Sequence, residues 1–348
     1  MAAARDAVRD LPQDQVVAPV SPAPDEKAPP ADAGTLPTQG GLRSRLSLLL
    51  KAIITVALIV VIARNVDVKA VSERLLVADP RWAAVALAFF ALQLVLGALR
   101  WRRICDRLGL SLARGAAIRL VFIGHFFSQA LPTAVGGDVV RAWLTTRETG
   151  AVGRSVSSVL CDRALAFGVL LLIASAGQLL VGAELRHPAL GPLRMVLWAV
   201  TLAAVLTLLF GAELARPLAR FRAGALIRRV LLDVRSVLGP PWSLAAIIGV
   251  MSLGVQLSIL TGVYFLARSL SLPLDLVLCL VMIPPILVAT LIPVSIGGWG
   301  VREGAMVLGL SMVGVSGEGA LALSILYGLG NLVVSIPGGL LWLAARGR

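Results

Sequence analysis

Residues 131–141 read LPTAVGGDVVR, and residues 292–302 read IPVSIGGWGVR. Aligned without gaps, the two phrases match at a proline, a glycine pair and an arginine. These positions are Pro132 and Pro293, Gly136 and Gly297, Gly137 and Gly298, and Arg141 and Arg302. Proline ends a helix, and paired glycines permit close approach of the backbone. Because the start of the next helix and a nearby arginine can both bind a phosphate, each phrase is a candidate anion-binding turn.

The composition is that of an integral membrane protein. Of 348 residues, 58% are hydrophobic and 15% charged, whereas soluble domains are about half apolar and a quarter charged. The mean hydropathy is +0.89. About 20 helical residues cross a hydrocarbon core of roughly 30 Å. Segments of that order are residues 46–63, 82–99, 164–182, 195–211, 242–266 and 321–345, and shorter or interrupted ones are 120–131, 276–296 and 304–315.

The net charge of +13 does not indicate a nucleic-acid partner. Many arginines lie directly after apolar segments, as Arg100, Arg102 and Arg103 do after one, and Arg216 and Arg220 after another. This is the positive-inside pattern of membrane proteins, with attraction to anionic lipid headgroups. A scattered solvated basic surface is the alternative interpretation of the same arginines.

The sequence predicts no metal site, no cofactor and no catalytic centre. The three cysteines form no CxxC pair, and the two histidines, His125 and His187, lie far apart. Neither pattern provides the ligand spacing of a zinc site or a disulfide framework. We therefore expect a protein that is not an enzyme.

The chain divides into a tail and one membrane domain. Residues 1–41 are rich in Pro, Ala, Asp and Gln and predict a disordered N-terminal tail, and residues 42–345 predict a single integral membrane domain. Arg43, Arg45 and Lys51 at the first apolar segment favour a cytoplasmic N-terminus.

The predicted fold is all-α, a polytopic bundle of about seven to eight transmembrane helices with one or two re-entrant broken helices. Residues 120–131 are too few to cross and have basic flanks on both sides, which predicts a re-entrant segment. Three crossings separate the two phrases, so the second should enter from the opposite face. This arrangement is typical of an inverted repeat, with halves at about residues 82–213 and 242–345. Two re-entrant phrases give seven crossings, whereas Arg346 and Arg348 favour a cytoplasmic C-terminus and eight.

Acidic residues accompany both phrases and add to the candidate site. Asp138 follows the first glycine pair, and Glu303 follows the second arginine. Ionisable groups at membrane depth are costly and are functional candidates by default. Asp162 and Arg163, at the start of another apolar segment, are either a functional ion pair or an interfacial cap.

The two phrases, together with CDRALAF at residues 161–167, resemble the lysylphosphatidylglycerol synthase transmembrane family of flippase-like proteins. The resemblance implies a multi-span bundle that moves or presents lipids across the inner membrane. Aminoacyl transfer belongs to a separate soluble domain in the bifunctional synthases, and we expect none here because the chain ends directly after its last span. The resemblance also implies an acid three residues after residue 163, where this chain has Ala166. The matching positions are Pro132, Gly136, Gly137, Asp138, Arg141, Pro293, Ser295, Gly297, Gly298, Gly300, Arg302 and Glu303.

The leading hypothesis is a multi-pass bacterial inner-membrane protein that translocates an anionic phospholipid or lipid-linked intermediate. Its partners would be membrane lipids, and Arg141 and Arg302 would bind their anionic headgroups. The alternative is a non-transporting membrane partner of an envelope glycolipid, hopanoid or isoprenoid-lipid biosynthesis complex, which predicts contact with biosynthetic enzymes. A membrane-embedded lipid-modifying enzyme is a third class, and it lacks a convincing nucleophile or metal set.

Overall fold

The computed structural model describes residues 53–58, 60–62, 64, 66–131, 135–179, 190–290 and 299–346, which form helices and no strands. The predicted tail at residues 1–41 lies outside this part of the chain. The helices are α1 (Ile53–Ile62), α2 (Val68–Leu76), α3 (Pro80–Arg107), α4 (Arg114–Ala130), α5 (Gly136–Thr149), α6 (Val152–Gly177), α7 (Leu190–Leu214), α8 (Arg222–Leu238), α9 (Trp242–Ser269), α10 (Leu276–Thr290), α11 (Val301–Ser311) and α12 (Gly317–Arg346).

Five of the described helices, α3, α6, α7, α9 and α12, are long and apolar enough to cross a membrane. At 1.5 Å per residue, the 28 residues of α3 extend about 42 Å. These helices confirm the prediction of an all-helical, multi-pass membrane protein. The number of seven or eight crossings and the inverted repeat remain predictions.

Two shorter helices follow α3 and two follow α9, and these four helices carry or adjoin the two phrases. The helices α4 and α5 have 17 and 14 residues, and α10 and α11 have 15 and 11. None reaches a length of about 30 Å, because 17 residues extend only about 26 Å. The apolar segment at residues 304–315 is helical only to Ser311 and is too short to cross.

Local sequence explains where the helices that hold the site begin and end. Asp79 caps α3 by accepting a hydrogen bond from the Arg81 N–H at 2.8 Å, and Pro80 occupies the first turn. The helix α5 ends at Gly150, whose φ of 70° is left-handed. That turn brings α6 directly back against α5, so the two helices can share ion pairs.

The bundle is built around α3 and α9, which share the most extensive interface. Phe90 of α3 is fully buried there, and a Cβ atom at Gly262 of α9 would lie 2.4 Å from its ring. The helix α12 packs on α4 with backbones in contact, since a Cβ atom at Gly338 would lie 2.0 Å from the Phe122 carbonyl oxygen. Small residues permit such close helix packing in membranes.

The basic stretch after α7 forms α8, a strongly amphipathic helix. It packs on α6 and α7, and the Arg235 Nε donates to the Leu208 carbonyl oxygen at 2.7 Å. Exposed side chains on it include both Arg229 and the apolar Leu226 and Ile227. A helix of this kind is typical of a membrane–water interface.

Candidate functional site

The first phrase contributes to a buried cluster of charges around Asp162 of α6. Arg100 of α3 donates from Nε and Nη2 to Asp162 Oδ1, at 3.0 and 2.7 Å. Arg141 of α5 donates from Nη2 to Asp162 Oδ2 at 3.1 Å. The carboxylate is therefore shared by two guanidinium groups that come from two other helices.

Asp138 extends this cluster towards the surface. Arg163 donates to both of its carboxylate oxygens, from Nε at 2.7 Å and from Nη2 at 3.0 Å. Arg141 Nη2 lies 3.7 Å from Asp138 Oδ1, one helical turn away on α5. We call the alternating series Arg100, Asp162, Arg141, Asp138 and Arg163 the arginine–aspartate chain. Three guanidinium groups against two carboxylates leave an excess of one positive charge.

A cavity of about 350 Å³ opens beside the arginine–aspartate chain, and all five of its members line it. Arg141 is held in place by Trp101, whose ring centroid lies 4.7 Å from its Cζ. Two buried atoms in the lining, Arg141 Nε and His125 Nε2, have no hydrogen-bond partner among the described residues. Leaving such a group unpaired costs about 1–3 kcal/mol, so a ligand that accepts from the Arg141 N–H is favoured.

The glycine pair of the first phrase allows α5 to approach α4 closely. A Cβ atom at Gly137 would lie 2.0 Å from the Gly124 carbonyl oxygen and 2.1 Å from the Ser128 Oγ. Gly136 is also buried at the start of α5. This contact sets how far Asp138 and Arg141 extend into the cavity, because both residues lie within the first turns of the same helix.

The second phrase forms a separate, neutral ion pair at the start of α11. Arg302 donates from Nε and Nη2 to Glu303 Oε1, at 3.1 and 2.5 Å, and from Nε to Ser324 Oγ on α12 at 3.1 Å. Glu303 Oε2 accepts from the Gly300 N–H at 2.6 Å. The ring centroid of Trp299 lies 4.5 Å from Arg302 Cζ. Both charges are thus satisfied by groups of α11, α12 and the turn before α11.

The candidate residues therefore do not all line one cavity. Among the described residues, Arg302 and Glu303 are not part of the lining, whereas Tyr327 of α12 lines it and its ring lies 5.7 Å from Arg302 Cζ. Tyr327 thus stands between the two charge clusters. Candidates that lie outside the described residues are Pro132, Pro293, Ser295, Gly297 and Gly298.

Sequence reasoning missed Arg100, which it assigned to the positive-inside pattern. Its side chain is only 4% exposed and belongs to the arginine–aspartate chain. Gln93, Gly97 and Arg100 share the helix face that lines the cavity, with spacings of four and three residues. Two polar residues on one face of an apolar helix were the signal for this role. His125 was considered only as a metal ligand.

The donor set gives little support for a bound metal. In the part of the chain that the structure describes, no three residues of the types His, Cys, Asp and Glu come together in a metal-binding group. The carboxylates of the cavity are occupied by guanidinium groups instead. The lining is suited to binding an anion, because the unpartnered Arg141 Nε is a donor and the arginines outnumber the aspartates by one.

Comparison with known proteins identifies the family. No curated protein matches the chain. A family model described as the lysylphosphatidylglycerol synthase TM region matches residues 48–338, which include both phrases, the arginine–aspartate chain and the Arg302–Glu303 pair. This match confirms the resemblance carried by the phrases. The chain belongs to the lysylphosphatidylglycerol synthase transmembrane-region family.

Proposed function

We propose that this membrane protein translocates a lipid with an anionic headgroup across the bacterial inner membrane. The observation that carries the proposal is the cavity beside the arginine–aspartate chain. It combines an excess positive charge with the buried Arg141 Nε, a donor that lacks an acceptor among the described residues. A headgroup phosphate provides the missing acceptor oxygens and the balancing charge.

The ion pairs of the arginine–aspartate chain allow a headgroup to bind and still to be released. Asp162 and Asp138 neutralise part of the charge of Arg100, Arg141 and Arg163, so a headgroup meets one excess charge and not three. A transport site has to release its ligand on the other side, and three guanidinium groups without carboxylate partners would hold a phosphate too tightly. The aspartates also keep the arginines in one geometry before the lipid arrives.

The order and packing of the helices support a repeat. A long helix, two short helices and a long helix occur twice, as α3 to α6 and as α9 to α12. The helix α3 packs on α9, α4 packs on α12, and α10 packs on α6, so exchanging the two halves preserves this set of interfaces. Arg141 bonds to Asp162 on the fourth helix of its half, and Arg302 bonds to Ser324 on the fourth helix of the other.

Helix lengths favour six crossings in total. The five long helices each cross once, and the apolar segment before residue 64 provides a sixth. The short pairs α4–α5 and α10–α11 then dip into the membrane from opposite faces. Both termini lie in the cytoplasm in this scheme, which agrees with Arg43 and Arg45 near one end and Arg346 and Arg348 at the other.

The proposed mechanism is alternating access between the two phrases, without chemical conversion of the lipid. The headgroup binds first at Arg141 and then reaches the Arg302–Glu303 pair past Tyr327, which lines the cavity and borders that pair. The acyl chains stay among the apolar helices throughout. Arg302 would exchange Glu303 for the phosphate and return to it after release.

The test is lipid translocation in proteoliposomes containing fluorescent phosphatidylglycerol or phosphatidylcholine. Arg141→Gln should lower phosphatidylglycerol translocation at least about tenfold, because a charge-assisted hydrogen bond contributes about 1.5–3 kcal/mol. Arg147→Gln is the matched control, since Arg147 is an exposed arginine on the same helix that rests on Trp143. Equal rates for both variants would refute the proposed site. An inactive wild-type protein that co-purifies with a lipid-biosynthesis enzyme would favour a non-transporting role.

A further inference from the structure

A second polar cavity lies where the end of α3, the first turns of α6 and α8 meet. Its volume is about 330 Å³, and we call it the basic cavity. Three arginines and one aspartate line it, which leaves an excess positive charge. Those side chains, with two serines, are Arg107, Arg154, Arg229, Asp233, Ser157 and Ser236. None of them lines the cavity of the arginine–aspartate chain.

Two buried polar atoms in the basic cavity lack a partner within the described structure. Ser157 is only 1% exposed, and its Oγ has no hydrogen bond. The Arg107 Nε is likewise unpaired, although its Nη2 and Nη1 donate to the carbonyl oxygens of Gly239 and Pro240, at 2.6 and 2.7 Å. These bonds fix the guanidinium group. A buried donor that is fixed and unpaired favours an anionic acceptor beside it.

Within the described ranges, the contacts of the other two arginines to protein groups are long. Arg154 Nη1 lies 3.5 Å from the Gly109 carbonyl oxygen, and Arg229 Nε lies 4.0 Å from Asp233 Oδ2. Gly153 makes room for Arg229, because a Cβ atom there would lie 2.8 Å from its Nη1. Both guanidinium groups can therefore turn to a ligand without losing a short hydrogen bond.

We infer that the basic cavity binds a phosphate group, and that its source is the headgroup of an anionic phospholipid. Exposed Leu226 and Ile227 precede Arg229 on α8, so acyl chains can lie along this amphipathic helix while the headgroup enters the cavity. A soluble phosphate ester has the same recognition chemistry and is the other source. The site is distinct from the proposed transport path, and it would let the lipid composition of one leaflet hold α8 against α3 and α6.

The experiment measures binding to the purified full-length protein in a non-ionic detergent. The probes are dioctanoylphosphatidylglycerol and inorganic phosphate, each titrated into wild-type protein and into Arg141→Gln, in which the transport cavity is impaired. Arg154→Gln combined with Arg229→Gln should weaken binding at least about tenfold in the Arg141→Gln background and should remove one of two binding phases in the wild-type background. Ser157→Ala should weaken binding severalfold without lowering the melting temperature of the unliganded protein, because it removes an unpaired hydroxyl. The control is Arg216→Gln, an exposed arginine paired with Glu213 outside the cavity.

Each outcome decides the inference. If the substitutions in the basic cavity weaken binding of the lipid and phosphate does not bind, the result supports a headgroup site. If they weaken binding of both the lipid and phosphate, the result supports a phosphate site that is open to soluble esters. Unchanged affinity in the double variant, or an equal loss in Arg216→Gln, overturns the proposal. Loss of lipid translocation in Arg141→Gln with binding to the basic cavity retained separates this inference from the proposed function.

Discussion

Replacing Asp162 by asparagine should destabilise the protein by about 3–5 kcal/mol, the cost of breaking a buried ion pair by removing one partner. The side chains of Arg100 and Asp162 are only 4% and 7% exposed, so water cannot take the place of the lost charge. Arg141 loses the same acceptor, because it bonds to the other carboxylate oxygen at 3.1 Å. The asparagine keeps the volume of the side chain, and therefore the effect reports charge and not packing.

An exposed pair elsewhere in the chain provides the comparison. Arg119 and Glu148 form an ion pair of the same chemistry, but their side chains are 46% and 26% exposed. Exposed pairs contribute about 0–1 kcal/mol, so Glu148→Gln should change the free energy of unfolding by no more than that. The difference between the two variants isolates the effect of burial.

The assay is equilibrium unfolding in mixed micelles, with Arg100→Gln and the double variant completing a mutant cycle. Residues in one charge network couple by about 0.5–3 kcal/mol, so Arg100→Gln should recover part of the loss in Asp162→Asn. Asp162→Asn also raises the excess charge beside the cavity, so an anionic lipid should stabilise this variant more than it stabilises wild type. A cost for Asp162→Asn no larger than that of Glu148→Gln would refute the reasoning.

Two further predictions concern packing and topology. Gly338→Ala should cost about 1–3 kcal/mol in unfolding free energy, since its Cβ would overlap the Phe122 carbonyl oxygen, whereas Gly304→Ala, with nothing within 4 Å, should be neutral or stabilising. Ala345→Cys should react with a membrane-impermeant maleimide in inside-out vesicles and not in spheroplasts, against a low background because all three native cysteines are buried. Labelling in spheroplasts alone would contradict a cytoplasmic C-terminus.

The helices and the paired phrases were predictable because their signals are local. Apolar length, proline and glycine positions and flanking arginines are all readable along the chain, and the spanning helices α3, α6, α7, α9 and α12 follow from them. The partners of Arg141 were not predictable, since Asp162 lies on another helix and Arg100 reaches it across 62 residues. Asp138 lies only three residues before Arg141 in the chain, whereas the shorter hydrogen bonds to Asp138 come from Arg163. The choice of an ion-pair partner depends on which helices face each other. The periodicity of apolar residues along the chain does not encode that.

The two phrases differ in the cation that each acid contacts, and under the proposed function this difference bears on the direction of transport. At the first phrase Asp138 bonds to Arg163 on the next helix, and the cluster keeps one excess positive charge. At the second phrase Glu303 is bonded by its neighbour Arg302 and by the Gly300 N–H, and the pair is neutral. An anionic headgroup should therefore bind more tightly beside Arg141 and leave more readily from the side of Arg302. On the proposed path, the unequal charges at the two phrases would bias passive movement of the lipid, and Glu303→Gln, which frees Arg302, should reduce that bias by strengthening retention at the second phrase.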